Sequence, residues 1–337
     1  MKKILHIAKI LLIFLLLIIL AIFIYLWVWN IFTEELPEDE INFGVTFSNI
    51  YAEELGLDWQ ETYLAILDEL KVKDIRLAAY WSQVEPEDDK FNFEELDFQI
   101  NEAAKRDSNI ILGVGQKLPR WPECFIPDWA MESKARDEEL LEYIEVVVNR
   151  YKSVEKIEYW QVENEPFLEG FGICPKFDVE LLDREIALVK SLDARPILTT
   201  DSGELGDWVR ARRRGDVFGT TMYRDVWFKR TIRFRYPLPP TWFKFKDLTS
   251  RAFSGENYAE KVIVVEMQAE AWGRDPIPFL TLEQQLKYMD FETFKENIVY
   301  SKRAGFPDIY LWGVEWWYYL KETHDMPEFW EHAKTLF

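Results

Sequence analysis

Tyr159–Gly170 reads YWQVENEPFLEG. The first four residues, with Lys156–Glu158 before them, have the apolar and β-branched character of a buried strand. The stretch then breaks at Asn164-Glu165-Pro166, because a proline cannot continue a central strand. It carries the carboxylates Glu163, Glu165 and Glu169. An acid at the end of an apolar strand is costly unless the fold opens there.

Working outward, apolar runs recur at Phe43–Ser48, Asp74–Ala79, Asn109–Gly115, Lys156–Val162, Pro196–Thr200, Val217–Met222, Val262–Val265 and Asp308–Gly313. Between them lie segments such as LDWQETYLAILDELKV and DVELLDREIALVKSLD, with apolar residues at helical spacing. Eight strand–helix units predict an α/β fold, the TIM (β/α)8 barrel, over residues 43–337. An open doubly wound sheet is the alternative. It lacks support because no glycine-rich phosphate loop follows the first run.

Two segments precede the barrel. Residues 1–33 contain an uncharged stretch, ILLIFLLLIILAIFIYLWVWNIFT, between Lys9 and Glu34. At about 1.5 Å per residue it spans a hydrocarbon core of roughly 30 Å. It is too long for a signal-peptide core, and no small-x-small cleavage site follows. The expectation is one uncleaved transmembrane helix. Lysines before it and the acidic linker at 34–42 after it place the N-terminus in the cytoplasm and the barrel outside. Lys2, Lys3 and Lys9 take three of the 40 basic residues, leaving 37 against 60 acidic ones for the remainder. Such a domain repels nucleic acid. Against that acidity, residues 224–260 form a basic, aromatic insertion with Trp227, Phe228, Arg230, Arg233, Arg235, Tyr236 and Trp242. It is read as a loop balanced by the acidic barrel, with a substrate flap or a lipid-touching surface as alternatives.

In a barrel, groups at the C-terminal strand ends face a common pocket. Glu165 ends the fourth strand and Glu266 the seventh, in KVIVVEMQAEAW. Two carboxylates across one pocket suit glycoside hydrolysis: one protonates the leaving oxygen, and the other attacks the anomeric carbon or activates water. The 15 tryptophans add flat faces suited to sugar rings. Trp81, Trp121, Trp129, Trp272, Trp316 and Trp317 follow strand ends and are candidate platforms, whereas Trp160 lies within a strand and reads as core. The only cysteines, Cys124 and Cys174, fall in the loops after the third and fourth strands. Those loops are neighbours on one face, so a disulfide is expected. Three histidines and two cysteines offer no zinc pattern, and no metal or cofactor is expected.

Several of these pieces resemble clan A glycoside hydrolases, the retaining (β/α)8 enzymes. WQVENEP resembles their fourth-strand Asn-Glu-Pro, VIVVEM their nucleophile strand, IRLAAYWSQVEPEDDKFNFEELD at Ile75–Asp97 their second-strand region, and YLWGVEWW their eighth-strand tryptophan. The pattern is nearest to families 42 and 39, with family 5 behind. The resemblance implies that Glu165 is the acid/base and Asn164 the partner of the sugar 2-hydroxyl. It makes Glu266 the nucleophile, supported by Tyr223 and Arg76, and Trp312 the platform. Gln116 stands where family 5 members often place a histidine, a departure from that family. Glu163 and Glu270 are rivals for the two acid roles. Asp201 and Glu204 are either a sugar subsite or a helix cap before Trp208. The implied protein is a membrane-anchored retaining hydrolase of β-linked glycosides. A glycan-binding barrel without activity, acting as an adhesin or sensor, and an envelope transglycosylase are the alternatives.

Overall fold

All eight expected strands form, and they close on one another. The computed structural model describes residues 2–228 and 231–337. The barrel strands are β1 (Asn42–Thr46), β2 (Asp74–Ala78), β3 (Asn109–Val114), β4 (Ile157–Val162), β5 (Ile197–Asp201), β6 (Val217–Met222), β9 (Lys261–Gln268) and β10 (Asp308–Trp312). They pair in parallel around a closed ring, β1-β10-β9-β6-β5-β4-β3-β2. Sequential order is kept apart from one excursion between β6 and β9.

Alternation along each strand splits the core in two. Ile111, Leu198, Val217, Ile263, Val265 and Tyr310 fill the barrel interior. Their neighbours Ile110, Leu112, Val262 and Val264 face outward into the larger layer between strands and helices. Interior packing stops where the strands end, and polar groups take over there. Gly44 marks how tight the base is: a Cβ at this position would lie 2.5 Å from the Asp74 carbonyl oxygen and 2.8 Å from the Tyr310 ring.

The excursion is the basic insertion. It forms a hairpin of β7 (Asp225–Phe228) and β8 (Ile232–Arg235), then a helix at Thr241–Ser254. Its charge is largely met locally. Arg233 and Arg235 pair with Asp225 at 3.1 and 3.5 Å, and Arg235 also reaches Glu296 at 3.5 Å. Arg230, counted with this patch, lies outside the described residues.

Lys2–Ile31 is a single helix, and Leu5–Ile31 is long and apolar enough to cross a membrane, a property signal sequences share. Its last turns are packed on the barrel. Leu26 is 1% exposed, and its carbonyl accepts from the Thr241 hydroxyl at 2.8 Å. The Arg303 guanidinium donates to the carbonyls of Asn30 and Thr33 at 2.6 and 3.3 Å.

Cys124 and Cys174 are bonded, with Cα atoms 5.2 Å apart and a sequence separation of 50. The bridge ties the loop after β3 to the loop after β4. Closing a loop of that length stabilises by about 4 kcal/mol in the chain-entropy account. Replacing both cysteines by serine should therefore lower the unfolding free energy by roughly 2–5 kcal/mol. Denaturant titration of the double variant beside the wild type measures this, and reductant should reproduce it.

Candidate active site

Two backbone irregularities deliver the acids. In β4, Tyr159 and Gln161 point inward, while Trp160 and Val162 point into the outer layer. Continued alternation would bring Glu163 to the axis. Instead Glu163 adopts φ +60° and Glu165 φ +43°. Left-handed backbone is uncommon outside glycine and costs of order 1–3 kcal/mol per residue. The twist turns Glu163 aside, where the backbone N–H groups of Gln116 and Lys117 donate to it at 2.8 and 2.6 Å. Gly115 (φ +126°) makes room, since a Cβ there would sit 2.5 Å from the Glu163 carboxylate. Asn164 and Glu165 are thereby left to the pocket.

In β9 the device is a bulge. The ladder to β6 pairs Thr220 with Val264 but Thr221 with Glu266, skipping Val265. The ladder to β10 shifts at the same place. An extra residue interrupts alternation. Val265 and Glu266 both turn inward, the first into the barrel core and the second into the polar layer above it.

Arg76 of β2, fully buried, joins these pieces. Its guanidinium donates to Gln161 Oε1 at 2.7 Å, Asn164 Oδ1 at 2.7 Å and Glu266 Oε1 at 2.8 Å. Tyr223, just past β6, donates its hydroxyl to Glu266 Oε2 at 2.9 Å. Both oxygens of Glu266 are thus held. Glu165 is held more lightly, accepting from the Thr221 hydroxyl at 3.2 Å. Burial pushes its pKa well above the ordinary carboxylate value, and the Glu266 charge adds to the rise. Lys117 opposes this, its ammonium lying 2.9 Å from the Glu165 carbonyl oxygen.

The tryptophans divide. Trp272 packs edge-on against Tyr223, ring centroids 4.8 Å apart, and belongs to the site. Trp312 Nε1 donates to Glu270 Oε1 at 2.7 Å, and the Arg120 guanidinium lies 4.0 Å from its ring centre. Trp81 does not reach the pocket. It is stacked on Tyr143 and edge-on to Trp129 in the outer layer, with Nε1 on Glu85 at 2.8 Å. Trp316 and Trp317 are also fully buried, bonded to Gln285 and to the Ala269 carbonyl. These three expectations are corrected: large rings just past a strand end were needed to seal the barrel beneath its helices. Trp160 is core, as expected.

The rival acids have other partners. Glu270 pairs with Arg120 at 2.5 Å, and Arg120 reaches Glu315 at 2.8 Å. Asp201 is fully buried and accepts from the backbone N–H groups of Ser202 and Trp208, both at 2.9 Å. Glu204 accepts from Tyr223 N at 2.8 Å and so braces that tyrosine. Gln116 lines a separate cleft of about 200 Å³ with Glu163 and Glu185, beneath the disulfide.

Sequence reasoning missed Arg120 and Glu123. Both sit with positive φ (+90° and +74°) in the disulfide-bound loop after β3. The Glu123 carboxylate accepts from the Asn164 amide at 3.5 Å, and burial pushes its pKa up to about 8. A charged loop following a strand gave no sign that it folds back over the pocket. Among the described residues, Glu85, Asp88 and Asp89 could offer metal-ligand atoms, all within 4.8 Å of one another. Both aspartates are exposed, and Glu85 is already engaged with Trp81.

The family model for glycosyl hydrolase family 10 matches residues 76–174, the segment from Arg76 through Glu165 to the disulfide. No curated protein matches the chain. Among solved structures, a GH5_18 protein from Bifidobacterium longum subsp. longum is similar with TM-score 0.57 and 13% identity, over 81% of this chain and 69% of the other. A GH10 xylanase from Thermobacillus composti gives 0.52 and 16%, over 82% and 85%. An exo-β-1,4-mannosidase from Opitutaceae bacterium strain TAV5 gives 0.55 and 13%, over 81% and 51%. The chain spans about half the length of that mannosidase, and 49% of a β-galactosidase from Marinomonas ef1. The family match covers residues 76–174, and the structural likenesses, at 13–16% identity, show a shared fold.

The buried acids make stability depend on pH. Glu123 is raised from 4.5 to about 8, and Glu163, Glu204 and Glu315 to about 7. A carboxyl raised on folding binds its proton more tightly in the folded state. Its contribution is full below pH 4.5 and is lost as pH rises through the folded value. The unfolding free energy should therefore fall between roughly pH 5 and 8. Glu123→Gln should flatten the upper part of that slope, as read by denaturant titration at stepped pH.

Proposed function

We propose that the chain is a membrane-anchored, retaining glycoside hydrolase acting on β-linked glycosides, with Glu165 as acid/base and Glu266 as nucleophile. One observation carries this reading: two carboxyls share a pocket in opposite settings. Both oxygens of Glu266 accept hydrogen bonds from Arg76 and Tyr223, the environment of a carboxylate. Glu165 is buried beside that negative charge, and its pKa is driven up. Divergent environments for two neighbouring acids are how one pocket supplies a proton donor and an anion at the same pH.

In the first step Glu165 gives its proton to the leaving oxygen while Glu266 attacks the anomeric carbon. In the second, Glu165 draws a proton from water, whose oxygen displaces the ester on Glu266. Asn164 would hold the sugar 2-hydroxyl. It is oriented for that by Arg76, which takes its Oδ1 and leaves the amide N–H directed toward Glu123. Trp312 and Trp272 would provide the ring faces. A glycan-binding barrel without activity needs none of the Arg76–Glu266–Tyr223 bracing, so that alternative is not preferred. The packing of Leu26 and Asn30 on the barrel supports a helix that stays attached, because cleavage after it would uncover the surface they bury.

A panel of aryl β-glycosides tests the activity. Glu165→Gln should lower turnover by about 10²–10⁴-fold. A 2-fluoro glycoside should leave an adduct on the peptide carrying Glu266, and proton NMR should show the product with the substrate's anomeric configuration. An inverted product would sink the retaining mechanism, and an adduct on Glu270 would move the nucleophile.

A further inference from the structure

The barrel's exposed apolar side chains are unevenly placed. Outside the N-terminal helix and its exit, large apolar groups stand exposed on the loops that leave the strands. They include Trp121 after β3 (48% exposed), Ile173 after β4 (63%), Leu205 after β5 (66%), Ile232 and Phe234 on the hairpin after β6 (62% and 44%), and Phe279 after β9 (80%). All of these surround the mouth. Of the remaining exposed large apolar groups, Met131 and Val179 also follow β3 and β4, Leu248 and Val299 lie on flanking helices, and Phe253 (71%) lies at the base end of the helix Thr241–Ser254. Among the described residues, none lies in the segments that enter the strands at the base. Exposed apolar groups concentrated on one face mark a surface that meets something apolar.

The N-terminal helix indicates what that is. The helix Thr241–Ser254 runs from mouth to base: near its start, Lys246 bonds the carbonyls of Ser202, Gly203 and Gly206 beyond β5, and its last carbonyl accepts from Arg213, ahead of β6. Leu26 meets the first residue of this helix, on the mouth side. Asn30 and Thr33 meet Arg303, in the last turn before β10 begins at the base. The chain thus travels from mouth to base through residues 26–33, and the apolar span before Leu26 leaves on the mouth side. No free linker separates the two parts. From Ile10 to Tyr25 the undocked span measures about 24 Å, less than a hydrocarbon core of roughly 30 Å. A helix that crosses the bilayer therefore draws the barrel onto the lipid surface, mouth first.

We infer that the apolar rim rests in the headgroup region of the bilayer its own helix crosses, and that the substrate is a glycoside carried on a membrane lipid. This rests on the anchored hydrolase reading above. Hydrolysis would break the bond between the anomeric carbon and the lipid oxygen. The proton passes from Glu165 to that oxygen, and water supplies the hydroxyl that ends on the sugar. The lipid product stays in the membrane beneath the rim, and the sugar leaves into water.

Single cysteines for spin labels can be introduced in the full chain, since the two native ones are bonded to each other. Labels at Phe279→Cys and Leu205→Cys on the rim, Glu155→Cys at the base and Phe14→Cys in the span would be read in phosphatidylcholine–phosphatidylglycerol vesicles. Accessibility to oxygen and to an aqueous nickel chelate reports depth. The rim labels should lie at a depth between Phe14→Cys and the base label, and the base label should be aqueous. Rim labels in water with Phe14→Cys in lipid would overturn the inference alone. Phe14→Cys in water would overturn the anchor as well. In a second arm, Leu205→Ser with Phe279→Ser should slow hydrolysis of long-chain alkyl glycosides in vesicles at least tenfold and leave soluble aryl glycosides unchanged. Equal effects on both would reject the lipid-borne substrate. A wild type inactive on every aryl glycoside would instead reject the hydrolase reading.

Discussion

The Arg76 guanidinium is the charge around which the mouth is organised. It stands fully buried at the barrel axis, with three partners from two strands and one strand end. A cation so placed must be matched. Removing one partner of a buried pair leaves the other uncompensated, at roughly 3–5 kcal/mol. That penalty fixes the side chains of Gln161, Asn164 and Glu266 in one arrangement. In the mechanism proposed above, the rigidity that would present a nucleophile and a 2-hydroxyl partner together comes from the same bonds that satisfy the arginine.

Matching Arg76 requires the backbone to leave regular geometry twice. The β9 bulge sets Glu266 inward directly after Val265, which no uninterrupted strand would do. The left-handed residues at Glu163 and Glu165 hold Asn164 at the axis between them. Neither irregularity sits loose. Glu163 is clamped by two backbone N–H groups, the Glu165 N–H donates to Thr200 Oγ1 at 2.8 Å, and the disulfide braces the loop above. The surrounding fold supplies the stability that the strained residues cost.

This explains what could be read from the chain alone. The eight strands were legible because burial on both faces leaves continuous apolar runs, and their number implies closure. Glu165 and Glu266 were legible as acids at strand ends. The site is less periodic than the scaffold, so its loop-borne parts were hidden. Arg120 and Glu123 reach the pocket only because their loop turns through positive φ and is pinned to a neighbour. Trp81, Trp316 and Trp317 misled for the opposite reason. Residues just past a strand end still belong to the packing layer when a helix begins at once, as it does at Trp81 and Val314.

The acids crowded at the mouth also constrain one another. Glu123, Glu165 and Glu266 lie within electrostatic reach, with Arg76 and Lys117 as the nearby cations. Three buried anions against two buried cations would leave net negative charge in a poorly solvated pocket, which is strongly unfavourable. Arg76 and Tyr223 both bond Glu266, and Glu165 and Glu123 lack such donors. Burial raises the pKa of both Glu165 and Glu123. On the proposed reading of Glu165 as acid/base, its proton would be stored by the folded charge balance of the pocket, and a sugar that displaces water would strengthen that balance.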